Sequence, residues 1–91
     1  MVENIRTKVL MEASGLINGD RAAAYGDASA NFGAIAAMWT AYLGYPVSAQ
    51  DTCHMMALLK ICRLRGGKHY DSSVDGAGYL ALGAEVAEVG D

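Results

Sequence analysis

The sequence predicts an all-α fold: a single domain over residues 1–91 in which four helices form a bundle-like arrangement joined by short loops. Three observations lead there. Apolar residues recur at helical spacing in four stretches, each stretch is bounded by a capping residue or a glycine-rich break, and no alternating strand pattern of useful length occurs. There is neither an internal repeat nor a low-complexity segment.

The first helix is expected from about Asn4 to Asn18, with Ile5, Val9, Glu12 or Ala13, and Leu16 on one face, and Asn18-Gly19-Asp20 stopping it. The second starts near Asp27, a good N-cap, and buries Phe32, Ile35, Trp39 and Leu43 before Gly44-Tyr45-Pro46 ends it. Ser48-Ala49-Gln50-Asp51 reads as a capping-box variant opening the third helix, with Asp where Glu or Gln is usual. That helix, about Ala49 to Leu64, carries Met55, Met56, Leu58, Leu59, Ile61, Cys62 and Leu64. Being apolar nearly all round, it is expected to be the buried, central element.

Gly66-Gly67 terminates the third helix, and Asp71 or Ser72 is the expected cap of a fourth that runs to about Val89. Gly76, Ala77, Gly78, Ala81, Gly83 and Ala84 make this helix unusually small-sided. An interior glycine costs a helix roughly 1 kcal/mol relative to alanine. Three of them call for a packing reason, the close approach of another backbone within the subunit or across a symmetry axis. Its one stripe of larger residues is Asp75, Tyr79, Leu82 and Val86, so a carboxylate falls on the packing face and has to be paired.

Composition narrows the function classes. The net charge of −3 gives no global basic field for DNA or RNA, and four of the seven cations, Lys60, Arg63, Arg65 and Lys68, fall in one short stretch. Such a local patch suits a phosphate or two better than a polyanion. A domain this small buries only about 60–65% of the surface of its unfolded chain. At 53% hydrophobic, some apolar surface is expected to enter a homo-oligomer interface. Without a leader pattern or a run of the ~18–20 apolar residues a span requires, no membrane association is expected and a cytoplasmic location is. Cys53 and Cys62 lie nine residues apart on one helix, ~13 Å along the axis, too far for a disulfide, and are expected to be reduced packing residues.

The chemistry-bearing residues converge on one turn. Lys60 and Arg63, at i and i+3, end the third helix, and Asp71 and Asp75, at i and i+4, open the fourth. The cations either complement the negative helix C-terminus or line a cleft and bind phosphate. The carboxylates either complement the helix N-terminus or, with waters and a substrate phosphate, hold one Mg²⁺. Arg21 and Tyr25 precede the second helix and suit a phosphate and a base or ring, although a tyrosine lidding the core is the commoner use. Zinc spacing, a Walker loop and a catalytic triad signature are all absent from the sequence, and no metal site is assigned.

The order DRAAAYGD, NF, W, Y, LLKICRL and DSSVDGAGYLALGAE resembles a family of small phage-encoded helical proteins of uncharacterised function, over nearly the whole chain. More remotely, a K-x-x-R helix followed by a D-x-x-x-D-x-x-x-Y helix is similar to phage nucleotide-modification-associated domains and to MazG-like all-α nucleoside triphosphate pyrophosphohydrolases. The latter resemblance implies a Mg²⁺ held by an E-x-x-E pair facing a second acidic pair on the next helix. Here Asp71 and Asp75 match only the second pair, and Lys60 and Arg63 stand where acids would be needed. Glu85 and Glu88 form an E-x-x-E, but ~15 Å or more along the same helix from Asp75.

The expectation is therefore a protein that binds a phosphorylated, nucleotide-like small molecule, with Lys60, Arg63 and Arg21 on phosphate, Tyr25 or Tyr79 on base or sugar, and Asp71 and Asp75 orienting cations or hydroxyls. For a phage protein the use would be to sequester a host signalling nucleotide. Two alternatives stay open: a Mg²⁺-dependent pyrophosphohydrolase, and a structural oligomerisation module in which Lys60, Arg63 and Asp75 form a buried ion-pair network.

Overall fold

The computed structural model describes residues 4–19 and 27–89 and contains, among them, four helices and no strand. They are α1 (Ile5–Asn18), α2 (Ala28–Leu43), α3 (Ala49–Leu64) and α4 (Tyr70–Glu88). Three of the four N-termini are closed by the residues the sequence indicates or by their neighbours. Asn4 Oδ1 accepts from Thr7 N at 2.8 Å and Asp27 Oδ1 from Ala30 N at 3.2 Å. The capping box of α3 is complete: Asp51 N donates to Ser48 Oγ at 2.9 Å, and Ser48 N donates to Asp51 Oδ2 at 3.0 Å. The hydrogen bonds that Ser48 offers the Asp51 carboxyl, from its backbone first and then from its side chain, hold it below the ordinary carboxylate range.

The cap of α4 differs from expectation. Neither Asp71 nor Ser72 holds it; His69 does, its Nδ1 accepting from Ser72 N at 3.3 Å. Ser72 Oγ lies 2.7 Å from the same nitrogen and is itself buried, so an imidazole replaces the usual short side chain because it also satisfies this hydroxyl. The breaks behave as glycines allow: Gly44 closes α2 at φ 69° with its N–H on Thr40 O, and Gly67 turns at φ 120° after α3.

The central helix is α4, not α3. It packs most extensively on α3, then on α1, and also reaches α2, whereas α1 touches no other helix among the described residues. The reason is its small side chains. A Cβ built on Gly83 would stand 3.1 Å from Cys53 Cβ, one on Gly76 would stand 3.8 Å from Lys60 Cβ, and one on Gly78 would stand 3.2 Å from Ile17 Cγ2. Gly76 and Gly83 are seven apart, as are Lys60 and Cys53, so the two helices run antiparallel in heptad-like register and approach along one line. Gly78 lies on a different face and admits α1. The glycines thus serve close approach within the chain.

The core joins α2, α3 and α4 through Phe32, Ala49, Cys53 and Val86, with Ile35, Tyr79 and Leu82 against it. Burial of Cys53 pushes its thiol up to about 11. On α3 the buried residues are the small ones, Ala49, Thr52, Cys53 and Ala57, while Met55, Leu58, Leu59 and Ile61 are exposed, Leu58 at 61%. The expected burial of that helix therefore fails on its outer face, for a geometric reason: a molecule only 21 Å through its thinnest dimension is about two helices thick, and leaves one side of each helix uncovered. Leu43 and Leu16 are likewise exposed, and α1 is anchored by Ala13 and half-buried Ile17. Cys62 is exposed rather than a packing residue.

The α3–α4 contact predicts an asymmetry between neighbouring small residues. Gly83→Leu should destabilise the domain by about 1–3 kcal/mol in urea titration, because its side chain meets the Cys53 and His54 side chains. Ala84→Leu, on the exposed side, should stay within about 0.5 kcal/mol of the parent.

Candidate functional site

A cleft of about 640 Å³ opens between α1, α2 and α4, with Met56 of α3 at its floor. Its walls are largely apolar, contributed by Ile17, Phe32, Ile35, Val74 and Leu82. Six polar side chains line it: Asn18, Asp27, Asn31, Asp75, Tyr79 and Glu85. Helix spacing puts Asp75, Tyr79, Leu82 and Glu85 along adjoining strips of α4, and α1 is held open against them by its contact at Gly78. The Tyr79 ring stands edge-on to Phe32, centroids 6.3 Å apart at 80°, which fixes its orientation.

Asp75, expected to need a partner, has one. Lys60 Nζ lies 3.1 Å from Asp75 Oδ2, with the side chains 16% and 28% exposed respectively. The pair forms because Gly76 lets the Lys60 backbone come close to α4, so that the lysine reaches the carboxylate one residue earlier. Of the pair, Asp75 lines the cleft and Lys60 stands behind it, outside the lining.

The remaining sequence candidates are dispersed. Arg63 is exposed and lies outside the cleft, and no carboxylate among the described residues pairs with it. Asp71 is exposed and borders a second hollow of about 520 Å³ between α1 and α4, together with Glu12, Leu16 and Asp75. Arg21 and Tyr25 lie outside the described residues; in sequence they fall between Asn18 and Asp27, both cleft-lining. Among the described residues, no three carboxylate, imidazole or thiol groups are grouped so as to hold a metal ion. His69 and Ser72 do approach, but Ser72 is 1% exposed and its hydroxyl completes a helix cap.

Sequence reasoning gave no site role to Asn18, Asn31 or Asp27, the last read only as a cap, and set Glu85 apart as half of a distant E-x-x-E. Polar residues one turn from apolar ones are ordinary on solvated faces, so only the meeting of three helices distinguishes these. It also missed the anchor of α1 on α4: Tyr70 Oη donates to Glu12 Oε2, and Lys8 Nζ sits 5.3 Å from the Tyr70 ring centroid.

The chain belongs to the family described as Domain of unknown function (DUF6378), whose profile matches residues 8–87. It is similar to the Gene 55 protein of Mycobacterium phage L5, 47% identical over 76 residues covering 81% of this chain and 49% of that protein. It is also similar to the Gene 55 protein of Mycobacterium phage D29, 43% identical over 81 residues covering 88% of this chain and 54% of that one. The chain thus spans about half the length of the curated relatives it matches. No solved structure matches it. Among the described residues, no helix is long and apolar enough to cross a membrane.

The ion pair yields a double-mutant test. Asp75→Leu alone should cost about 1–3 kcal/mol, since it strands a mostly covered ammonium, and Lys60→Met/Asp75→Leu should recover most of that loss in denaturant titration. A second measurement reads thiol burial. In dilute native protein, iodoacetamide should modify Cys62 and spare Cys53 until the domain unfolds.

Proposed function

We propose that the protein binds a nucleotide-like small molecule, with the base and sugar inside the cleft between α1, α2 and α4 and the phosphate at its mouth. The observation that carries this reading is the cleft itself: about 640 Å³, largely apolar, with convergent polar groups and an oriented aromatic ring. Ligand pockets of this kind run to roughly 300–1,000 Å³.

The polar groups refine the chemistry. Asp27, Asp75 and Glu85 are acceptors that favour donors, such as base N–H groups and ribose hydroxyls, and they repel phosphate. The phosphate therefore belongs on cations outside the walls. Lys60, whose contact with Asp75 leaves donors free, and Arg63 three residues on supply two on one side of α3. Arg21, between two cleft-lining positions in sequence, supplies a third, with Tyr25 available to the base. Asp71 orients hydroxyls from the neighbouring hollow. For a chain similar to mycobacteriophage proteins, the use we propose is sequestration of a host signalling nucleotide.

Hydrolysis is the second reading, favoured by the three carboxylates on one cleft and by the resemblance to MazG-like enzymes. Against it stands the donor geometry: metal-assisted hydrolysis requires a fixed ion and an activated water, and no three such ligands are grouped among the described residues.

Calorimetry with nucleoside mono-, di- and triphosphates and cyclic dinucleotides, paired with chromatography for products in Mg²⁺, separates these readings. Binding without turnover is expected. Arg63→Ala should weaken it by about ten- to a hundredfold without unfolding the domain, as charge-assisted phosphate contacts contribute roughly 1.5–3 kcal/mol. Asn31→Ala should weaken it through the cleft. Failure of every nucleotide to bind, or indifference to both substitutions, refutes the proposal, and multiple turnover lost in Asp75→Asn establishes the enzyme.

A further inference from the structure

The outer face of α3 carries a pattern that the cleft does not use. Taking about 100° per residue, Asp51, His54, Met55, Leu58, Ile61, Cys62 and Arg65 all fall within about 60° of Leu58 around the helix. Every one of them is exposed, while the buried residues of α3, Ala49, Thr52, Cys53 and Ala57, lie on the other side. Asp51, Met55, Leu58, Cys62 and Arg65 follow one another at steps of four, three, four and three, the spacing of a two-stranded helical seam. Apart from His54 on its flank, the seam is apolar in the middle, acidic at its first residue and basic at its last.

That order reads the same in reverse with the charges exchanged. Turned about an axis through Leu58, Asp51 meets Arg65, Met55 meets Cys62 on one flank, Ile61 meets His54 on the other, and Leu58 meets itself. A twofold interface needs this kind of self-complementarity. From the exposed seam and its opposed terminal charges, we infer that the protein forms a twofold dimer through α3, the two copies of that helix running antiparallel over about 21 Å.

Charge selects the direction. A parallel pair would set Asp51 against Asp51 and Arg65 against Arg65, whereas the antiparallel pair sets each acid against a base. Asp51 is ready for this contact. Its Oδ2 accepts from Ser48 N, which fixes the carboxylate at the exposed end of the seam. Other exposed apolar residues, such as Tyr42, Met38 and Leu10, carry no such matched ends.

Sedimentation of the whole chain over a concentration series is the first test, and a monomer–dimer equilibrium complete by high micromolar protein is expected. Leu58→Asp should weaken the dimer at least tenfold and leave the circular dichroism of the monomer unchanged, since Leu58 is exposed. Direction is read by oxidation of Met55→Cys: the new thiol faces Cys62 of the second copy, and a reducible, doubly linked dimer should form. In the parent chain the two copies of Cys62 are about 12 Å apart along the seam, beyond the ~7 Å that a disulfide tolerates, and should not link. Cys53 is buried and does not compete. A monomer at every concentration, a dimer that survives Leu58→Asp, or ready linkage of the parent chain through Cys62 overturns the inference.

Discussion

The antiparallel contact of α3 with α4 is the constraint on which the other helices depend. It runs through Gly76 and Gly83 on one helix and through Lys60 and Cys53 on the other, where side-chain room is least. Glycines in mid-helix are costly in isolation. The cost is offset because their absence of a Cβ brings Cys53 into the core beside Phe32 and Val86. The same approach sets Lys60 against Asp75, so one packing decision determines both a hydrophobic cluster and an ion pair.

From this contact the cleft follows. With α3 close on one face, α4 turns Gly78 toward Ile17 and accepts α1 on another, and α2 closes over the core through Phe32. Three helices that meet on α4 without filling the space between them leave a hollow with Asp75, Tyr79 and Glu85 along its wall. The mostly covered Lys60–Asp75 pair has two roles that are compatible. It satisfies a carboxylate that packing has partly desolvated, and it keeps a cation beside a cavity whose charged lining residues are all acids.

Small helical domains cannot cover all of their apolar surface, and this one shows where the shortfall goes. The inner side of α3 is built from alanine, threonine and cysteine, which permits close packing, and the larger residues are displaced to the outer side. A seam with matched terminal charges is a different surface from scattered exposed leucines, since it specifies orientation as well as attraction. The family relationship extends across most of the chain, so residues of both the cleft and the seam lie within the matched region.

The sequence by itself determined the helices. Local signals, Asp27, the Ser48–Asp51 box, Gly44 and Gly67, act over three or four residues, and they place the ends of α2 and α3 where the structure has them. The need of Asp75 for a partner was also legible, because a carboxylate on the packing stripe of α4 loses part of its water when the helix packs. Other features were decided only by tertiary structure. Which helix is central depended on close approach rather than on hydrophobicity, so glycine-rich α4 took the place that apolar α3 was expected to hold. The His69 cap depended on a buried Ser72 hydroxyl, and the cleft residues Asn18, Asn31 and Glu85 depended on three helices meeting in space. Caps and turns are written in neighbouring residues; cavities and packing order arise from contacts between residues far apart in the chain, which periodicity does not encode.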